Sequence, residues 1–359
     1  MTRREQQILQ MIEENPMISQ QELAQKLGIT RSSVAVHISN LTQKGCIAGR
    51  GYVLGSGSYA VVVGGVNVDI GGRSHAPLVA ADSNPGTVTT SLGGVGRNIA
   101  HNLRLLDVDV KLLSAYGDDM NGRQVETSCS ALGIDLKHAL RVSGRTTSTY
   151  LYLTGPEGEM ALAVSDMAVC DRITPGYLAA NLSVLHSARV VVADTNIPRE
   201  SLEYLAKNCT APLFIDPVST AKAEKIRDLL PYIHTLKPNR LEAELLSGVS
   251  IRSKEDVARA AQVLLDRGVQ RVFLSMGAEG VCAADAEGSV FLPPVPGHMV
   301  NTTGCGDAFT AALVWAWLEG LTLAETAKAG SAAGSVAMES AETINPDLSA
   351  EELRRRMAR

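Results

Sequence analysis

The residues best placed to do chemistry lie in the stretch NTTGCGDAFTAAL, Asn301 to Leu313. Gly304 and Gly306 allow a tight turn that aims successive N–H groups at one point, and the apolar residues beyond predict a helix beginning near Asp307. A helix start concentrates unpaired amides and the positive end of the helix dipole, so it suits an anion. A phosphoryl group in transit would be held there by the amides of Gly304, Cys305 and Gly306. Asp307 would stand beside it to accept the proton of a substrate hydroxyl. Taken alone, a Gly-x-Gly-Asp helix entrance is often only a turn. Its weight comes from the company it keeps.

Four other motifs stand in order along the chain. Asn67-Val-Asp-Ile70 closes the first apolar run, where open α/β sheets bind ligands. GGVGRNIA, Gly93 to Ala100, is a glycine turn into an amphipathic helix, and its glycines suit close helix–sheet packing equally well. KPNRLEAE sets Asn239 and Glu242 one turn apart at a helix entrance. LSMGAEG, with Ser275, Gly277 and Gly280, is a strand followed by a turn able to meet nucleotide phosphates. No GK[ST] occurs, which excludes a Walker A loop.

These motifs need a scaffold, and the apolar runs supply one. YAVVVGGVNVDI, VKLLSAYG, ARVVVADTN, PLFIDPV, HTLKPN and RVFLSMG are short and β-branched, with helical stretches such as Arg97–Leu106, Ser201–Asn208 and Lys254–Asp266 between most of them. That alternation predicts an α/β fold, a doubly wound, mostly parallel sheet covered on both faces. Pieces near 71–90 and 146–166 alternate polar and apolar residues instead, as a small half-exposed β lid would.

The first fifty-odd residues differ. Ile8, Leu9 and Ile12 keep helical spacing up to Asn15-Pro16. Ser19, with Glu22 as its capping-box partner, starts a second helix that Gly28 ends, and Thr30 caps a third that Gly45 closes. A glycine-rich hairpin, Ile47 to Leu54, follows, and Gly55–Ser58 reads as a linker. This is the winged helix-turn-helix pattern, an all-α module with a wing, over residues 1–55. Arg31, Ser32, Ser33 and His37 would face the DNA major groove, with Lys44 and Arg50 near the phosphates. A protein-interaction module is the alternative.

From Tyr59 to about Asp347 the order and spacing resemble the ribokinase/PfkB family of carbohydrate and nucleoside kinases, and 56–359 is the corresponding domain. The resemblance implies a ribokinase-like fold with ATP and Mg²⁺ as cofactors. It makes Asp307 the base and Gly304, Cys305 and Gly306 the anion hole, with Asn239 and Glu242 organising phosphate and Mg²⁺. Ser275, Gly277 and Gly280 fall on the ATP turn. Asn67, Asp69, Gly94, Asn98 and Asn196 fall where the family holds sugar hydroxyls. NVDIGGRS, ADSNPG, GGVGRNIAHNL, VSDM and HTLKPNRLEAELLSG resemble the pseudouridine kinases within it, which implies phosphorylation of a ribose 5′-hydroxyl. Inosine- or guanosine-like nucleosides and ribose-type sugars are the alternative substrates. Two positions depart from the family. Cys305 replaces a small residue and brings a thiol open to oxidation if its pKa is low. Asn301 stands where potassium-binding members carry Asp, which puts K⁺ activation in question.

Composition agrees with a folded, soluble enzyme. Of 359 residues, 45% are hydrophobic and 20% charged, enough to bury a core. A net charge of -5 excludes a chain that coats nucleic acid along its length but permits a local DNA-reading surface. The six cysteines are scattered singly, which points to a reducing cytoplasm. No apolar run is long enough for a membrane span. A homodimer is expected, since winged helices read paired half-sites and family lids pair between subunits. A ligand-sensing regulator without turnover is the competing reading of the whole chain.

Overall fold

The computed structural model describes residues 2–16, 18–44, 46–47 and 59–358. The expectations placed on Gly45, on the wing with Arg50, and on the Gly55–Ser58 linker lie outside the described residues.

The head begins with helices Arg3–Glu14, Gln20–Leu27 and Arg31–Gln43. Ser19 and Glu22 form the expected capping box, Gly28 ends the second helix in the left-handed region at φ 62°, and Thr30 caps the third. Ile8, Ile12, Leu23, Val34 and Leu41 are wholly buried where the helices meet. A further capping box, Thr2 with Glu5, starts the first helix.

The strands from Tyr59 onward are β1 (Tyr59–Val63), β2 (Asn67–Ser74), β3 (Gly86–Gly93), β4 (Asp109–Leu113), β5 (Ala115–Gly117), β6 (Leu140–Val142) and β7 (Thr149–Thr154). They continue with β8 (Met160–Asp166), β9 (Val190–Asp194), β10 (Leu213–Asp216), β11 (Thr235–Leu236), β12 (Arg271–Ser275), β13 (Val281–Asp285) and β14 (Gly288–Leu292). Among the described residues the main sheet runs β14-β13-β12-β11-β10-β9-β1-β4. It is parallel from β4 through β12 and closes with antiparallel β13 and β14. Alternate residues of its strands feed opposite layers. Val62, Leu112 and Val192 pack under the helices Val95–Leu105, Cys305–Leu318 and Leu323–Ala337, while Val61, Val63 and Val191 pack under Arg199–Asn208 and Lys254–Asp266. Burial on both faces explains the unbroken apolar runs.

The second sheet, β3-β2-β7-β8, is the lid. Tyr150 and Tyr152 of β7 face the cleft below it. Leu151 and Leu153, with their partners Val164 and Leu162 on β8, form an exposed apolar outer face. Two boundaries differ from the sequence expectation. Asn67-Val-Asp-Ile70 opens β2 rather than ending β1, because Gly64-Gly65 breaks the run. The helix expected near Asp307 begins at Cys305, because Gly304 already takes the left-handed cap conformation at φ 84°.

Candidate active site

Three neighbouring strands end in charge. Asp216 closes β10 in register with Asp194 of β9, and Lys237 follows β11 on the next strand over. The Lys237 ammonium lies 3.1 Å from Asp216 Oδ2, with both side chains below 10% exposed. Burial alone would discharge this lysine, but Asp216, Glu242 and Asp307 together hold its pKa above the ordinary lysine value. The Thr310 hydroxyl donates to the same Asp216 oxygen at 2.8 Å, and Lys237 reaches toward the Gly306 carbonyl at 3.5 Å.

Above these strand ends stands the helix Cys305–Leu318. No side chain caps it, and the Cys305 N–H makes only a long 3.4 Å bond to the Thr302 carbonyl, so this helix start suits an anion. Gly304 is required, since a Cβ there would lie 2.0 Å from the Thr343 carbonyl oxygen. Burial, aided by Asp216, pushes the Asp307 carboxyl up to about 7. Asn98 opposes that rise by donating its Nδ2 hydrogen to Asp307 Oδ2 at 2.8 Å.

Asn98 can reach Asp307 because its helix runs close to β1. A Cβ on Gly64 would stand 2.9 Å from Gly96 Cα and 2.3 Å from Asp194 Oδ2. Both readings of GGVGRNIA are therefore right, at different residues. Gly96 serves close packing, and Asn98 bonds Asp307. Asn98 Oδ1 is buried and has no hydrogen-bond partner, which leaves an acceptor for a donor hydroxyl.

Asp69 accepts from Asn67 Nδ2 at 2.6 Å. Burial raises the Asp69 carboxyl, against Asn67 and the guanidinium of Arg97. Asn196 sits beside Gly65, its carbonyl accepting from Lys222 Nζ at 2.5 Å and its N–H donating to Asp194 Oδ1 at 2.7 Å. Gly94 starts the Asn98 helix at φ 96°. A cleft of about 1010 Å³ opens beneath the lid, lined by Asp69, Arg97, His101, Tyr150 and Tyr152.

On the far side of the Asp307 helix, Ser275, Gly277 and Gly280 line a separate cavity of about 520 Å³, with Val295, Phe309 and Met338 as its apolar wall. Cys305 and Gly306 also border it. This size and mix suit a nucleotide. Asn239 and Glu242 form a reciprocal capping box, the Glu242 N–H donating to Asn239 Oδ1 at 3.0 Å and the Asn239 N–H to Glu242 Oε2 at 2.9 Å. That box fixes a carboxylate only 3% exposed, whose pKa is raised by burial. Among the described residues no cluster of three His, Cys, Asp or Glu could hold a metal. Glu242 is a single carboxylate at a helix entrance, and Mg²⁺ is commonly held by one or two carboxylates together with substrate phosphates.

Several expectations need amendment. The Cys305 thiol is raised by burial and by Asp307, so it stays protonated and is a poor target for oxidation. Asn301 uses both ends of its amide, accepting from the Thr303 N–H in its own loop and donating to the Ala341 carbonyl 40 residues on. Arg31 and Ser32 are exposed at the start of the third head helix, where Ser32 and Ser33 bond the Thr30 hydroxyl. His37 is half-buried with Nδ1 unpartnered. Both Glu5 carboxylate oxygens hold the Lys44 ammonium at 2.8–2.9 Å, with the lysine side chain still 45% exposed. Asp194, Asp216, Lys237 and Thr310 were not anticipated. Their signal is visible in hindsight, since a buried apolar strand that ends on a charge, as in VVVAD or LFID, calls for a partner.

Comparison with known proteins follows the same division. Residues 58–350 match the pfkB family carbohydrate kinase model, and residues 1–48 match a winged helix-turn-helix DNA-binding model. The chain is 44% identical over 293 residues to the pseudouridine kinase of Escherichia coli K12, covering 81% of this chain and 94% of that one. It is 40% identical over 353 residues to the uncharacterised sugar kinase YeiI of the same organism, covering 98% of each. The solved carbohydrate kinase of Agrobacterium tumefaciens superposes with a TM-score of 0.74 at 26% identity, over 84% of this chain and 97% of that one.

Proposed function

The chain belongs to the pfkB family of carbohydrate kinases, and from that premise we propose that it phosphorylates the 5′-hydroxyl of a nucleoside, pseudouridine foremost, at the expense of ATP. The observation that carries the reading is the pairing of Asp307 with Asn98. It sets a carboxyl of pKa about 7 and an unpartnered buried acceptor side by side, at the start of a helix that no side chain caps. In this reading Asn98 Oδ1 and Asp69 accept sugar hydroxyls. Asp307 takes the proton of the attacking hydroxyl, and the amides of Cys305 and Gly306 meet the charge that develops on the transferred group. Lys237 keeps Asp216 neutralised beneath them. Mg²⁺, held by Glu242 together with the phosphates, would supply charge neutralisation there.

The choice of pseudouridine rests on the relative of that name at 44% identity; inosine, guanosine and ribose remain the alternatives. The head is assigned to DNA from its family match and the exposed Arg31 and Ser32. The apolar outer face of the lid is assigned to a second copy of the chain. No described helix is long and apolar enough to cross a membrane. A regulator that senses the nucleoside without turning it over is the second reading, and the complete set of Asp307, open amides, Asn239 and Glu242 speaks against it.

The test is ATP turnover on pseudouridine, uridine, inosine, guanosine and ribose, with Asp307→Asn alongside. Turnover on one nucleoside that falls about 10²–10⁴-fold in the variant supports the proposal, that being the usual worth of a general base. Nucleoside binding that alters DNA affinity with no turnover on any substrate would replace it with the sensor.

A further inference from the structure

The wall of the smaller cavity is held in place from the far end of the chain. Its loop contributes Pro294, Val295, Pro296, Gly297 and Met299. Prolines offer no N–H and the segment forms no strand, so little backbone bonding fixes it locally. Two serines one turn apart on the helix Leu323–Ala337 fix it instead. Ser331 Oγ accepts from the Val295 N–H at 2.9 Å, and Ser335 Oγ donates to the Pro296 carbonyl at 2.8 Å.

A hydroxyl has one proton, which Ser335 gives to Pro296, so its lone pairs are left to accept from a donor that fixes the direction of the O–H. That donor is Arg356, on the terminal helix Ala350–Met357, whose Nη1 donates to Ser335 Oγ at 2.7 Å. The same guanidinium donates to both Glu339 oxygens, at 3.0 and 2.7 Å, and to Glu352 Oε1 at 2.6 Å. Glu339 Oε1 in turn accepts the His298 N–H at 3.2 Å, gripping the loop at a second point. Arg356 is only 8% exposed. Among the described residues that line the cavity, its hydrogen bonds reach only Ser335.

We propose that Arg356 is a positioning residue for ATP: it orients the Ser335 hydroxyl and the Glu339 carboxylate so that loop 294–299 keeps the shape that receives the nucleotide base. The proposal rests on assigning this cavity to ATP, and it makes the terminal helix part of the donor site while leaving the acceptor cleft alone. Arg356→Met should raise the KM for ATP by about 5- to 50-fold, the loss of charge-assisted hydrogen bonds on a binding surface, with the KM for the nucleoside and kcat little changed. Arg356→Lys should recover part of the loss, because one ammonium can reach Ser335 or Glu339 but not both in a fork. Ser335→Ala should show the same split without removing a buried cation. The double variant should lose less than the sum of the two, since both act through one bond.

Gly334→Val tests the cavity itself, because Gly334 lines it. If Gly334→Val leaves the KM for ATP unchanged, the cavity is not the ATP site and the premise fails. If Gly334→Val raises it while folded Arg356→Met and Ser335→Ala do not, the positioning role fails. An equal rise in both substrates' KM would also overturn it, as the signature of general loosening.

Discussion

Asn98 and Asp307, 209 residues apart in sequence, meet through a single 2.8 Å hydrogen bond that works, with the Lys237 ammonium, against burial and the neighbouring carboxylates. Burial and Asp216 favour the protonated acid, whereas the Asn98 donor favours the charged base. A general base acts only when deprotonated, so kcat/KM should rise with pH through about 7 and level off above it. Asn98→Ala removes the opposing donor, and the rising limb should move to higher pH. A pH profile of kcat/KM checks this; a limb that does not move would deny Asn98 any hold on the base.

The same carboxyl links activity to stability. Its pKa rises from 3.8 to about 7 on folding, so its contribution to stability is full below about 3.8 and is lost as pH climbs to about 7. Asp307→Asn carries no such titration. Its melting temperature should therefore gain on the wild type between about pH 5 and about pH 8. A gap that is the same at both pH values would show that the carboxyl is not strained by its setting.

Lys237 and Asp216 form a buried pair, and each is far more costly alone than together. Lys237→Met leaves Asp216 charged and enclosed, at a cost of about 3–5 kcal/mol in urea unfolding. Adding Asp216→Asn should recover much of that stability while turnover stays low, because the floor beneath Asp307 has changed. Full loss persisting in the double variant would mean the pair is not the unit of stability.

In the head, two cations that look alike in sequence should behave differently. Arg31 is exposed, so Arg31→Ala should weaken DNA binding and reduce the salt slope of log K by about one, with ATP turnover untouched. Lys44 is bound to the buried Glu5, so Lys44→Met should lower the melting temperature of the head and leave the salt slope nearly as it was. Salt titration of operator binding beside calorimetry separates the two; equal salt effects would return Lys44 to the DNA interface.

What the chain announced in advance was whatever had a local signature. Gly304 and Gly306 mark a helix start, Asn98 follows a glycine turn, and the strands declare themselves by unbroken burial. Asn239 and Glu242 were legible as a pair one turn apart at a helix entrance, and the structure closes them into a capping box. Asp216 and Lys237 escaped notice because one charge after an apolar strand looks like the first residue of a turn. Only the sheet order, which sets β9, β10 and β11 side by side, makes them neighbours. Lys44 and Glu5, 39 residues apart, and Arg356 and Ser335, 21 apart, likewise have no pattern that a window along the chain could detect.

The lid strand β7 carries Tyr150 and Tyr152 toward the cleft and Leu151 and Leu153 away from it. Two separate surfaces are thereby interleaved in one six-residue segment, on alternate positions. Changes at 150 and 152 can retune what fits beneath the lid, and changes at 151 and 153 can retune what covers it, with neither inheriting the other's consequences. An insertion of a single residue there would swap the two roles at once. Drift by substitution is therefore tolerated in this strand far more readily than drift by length.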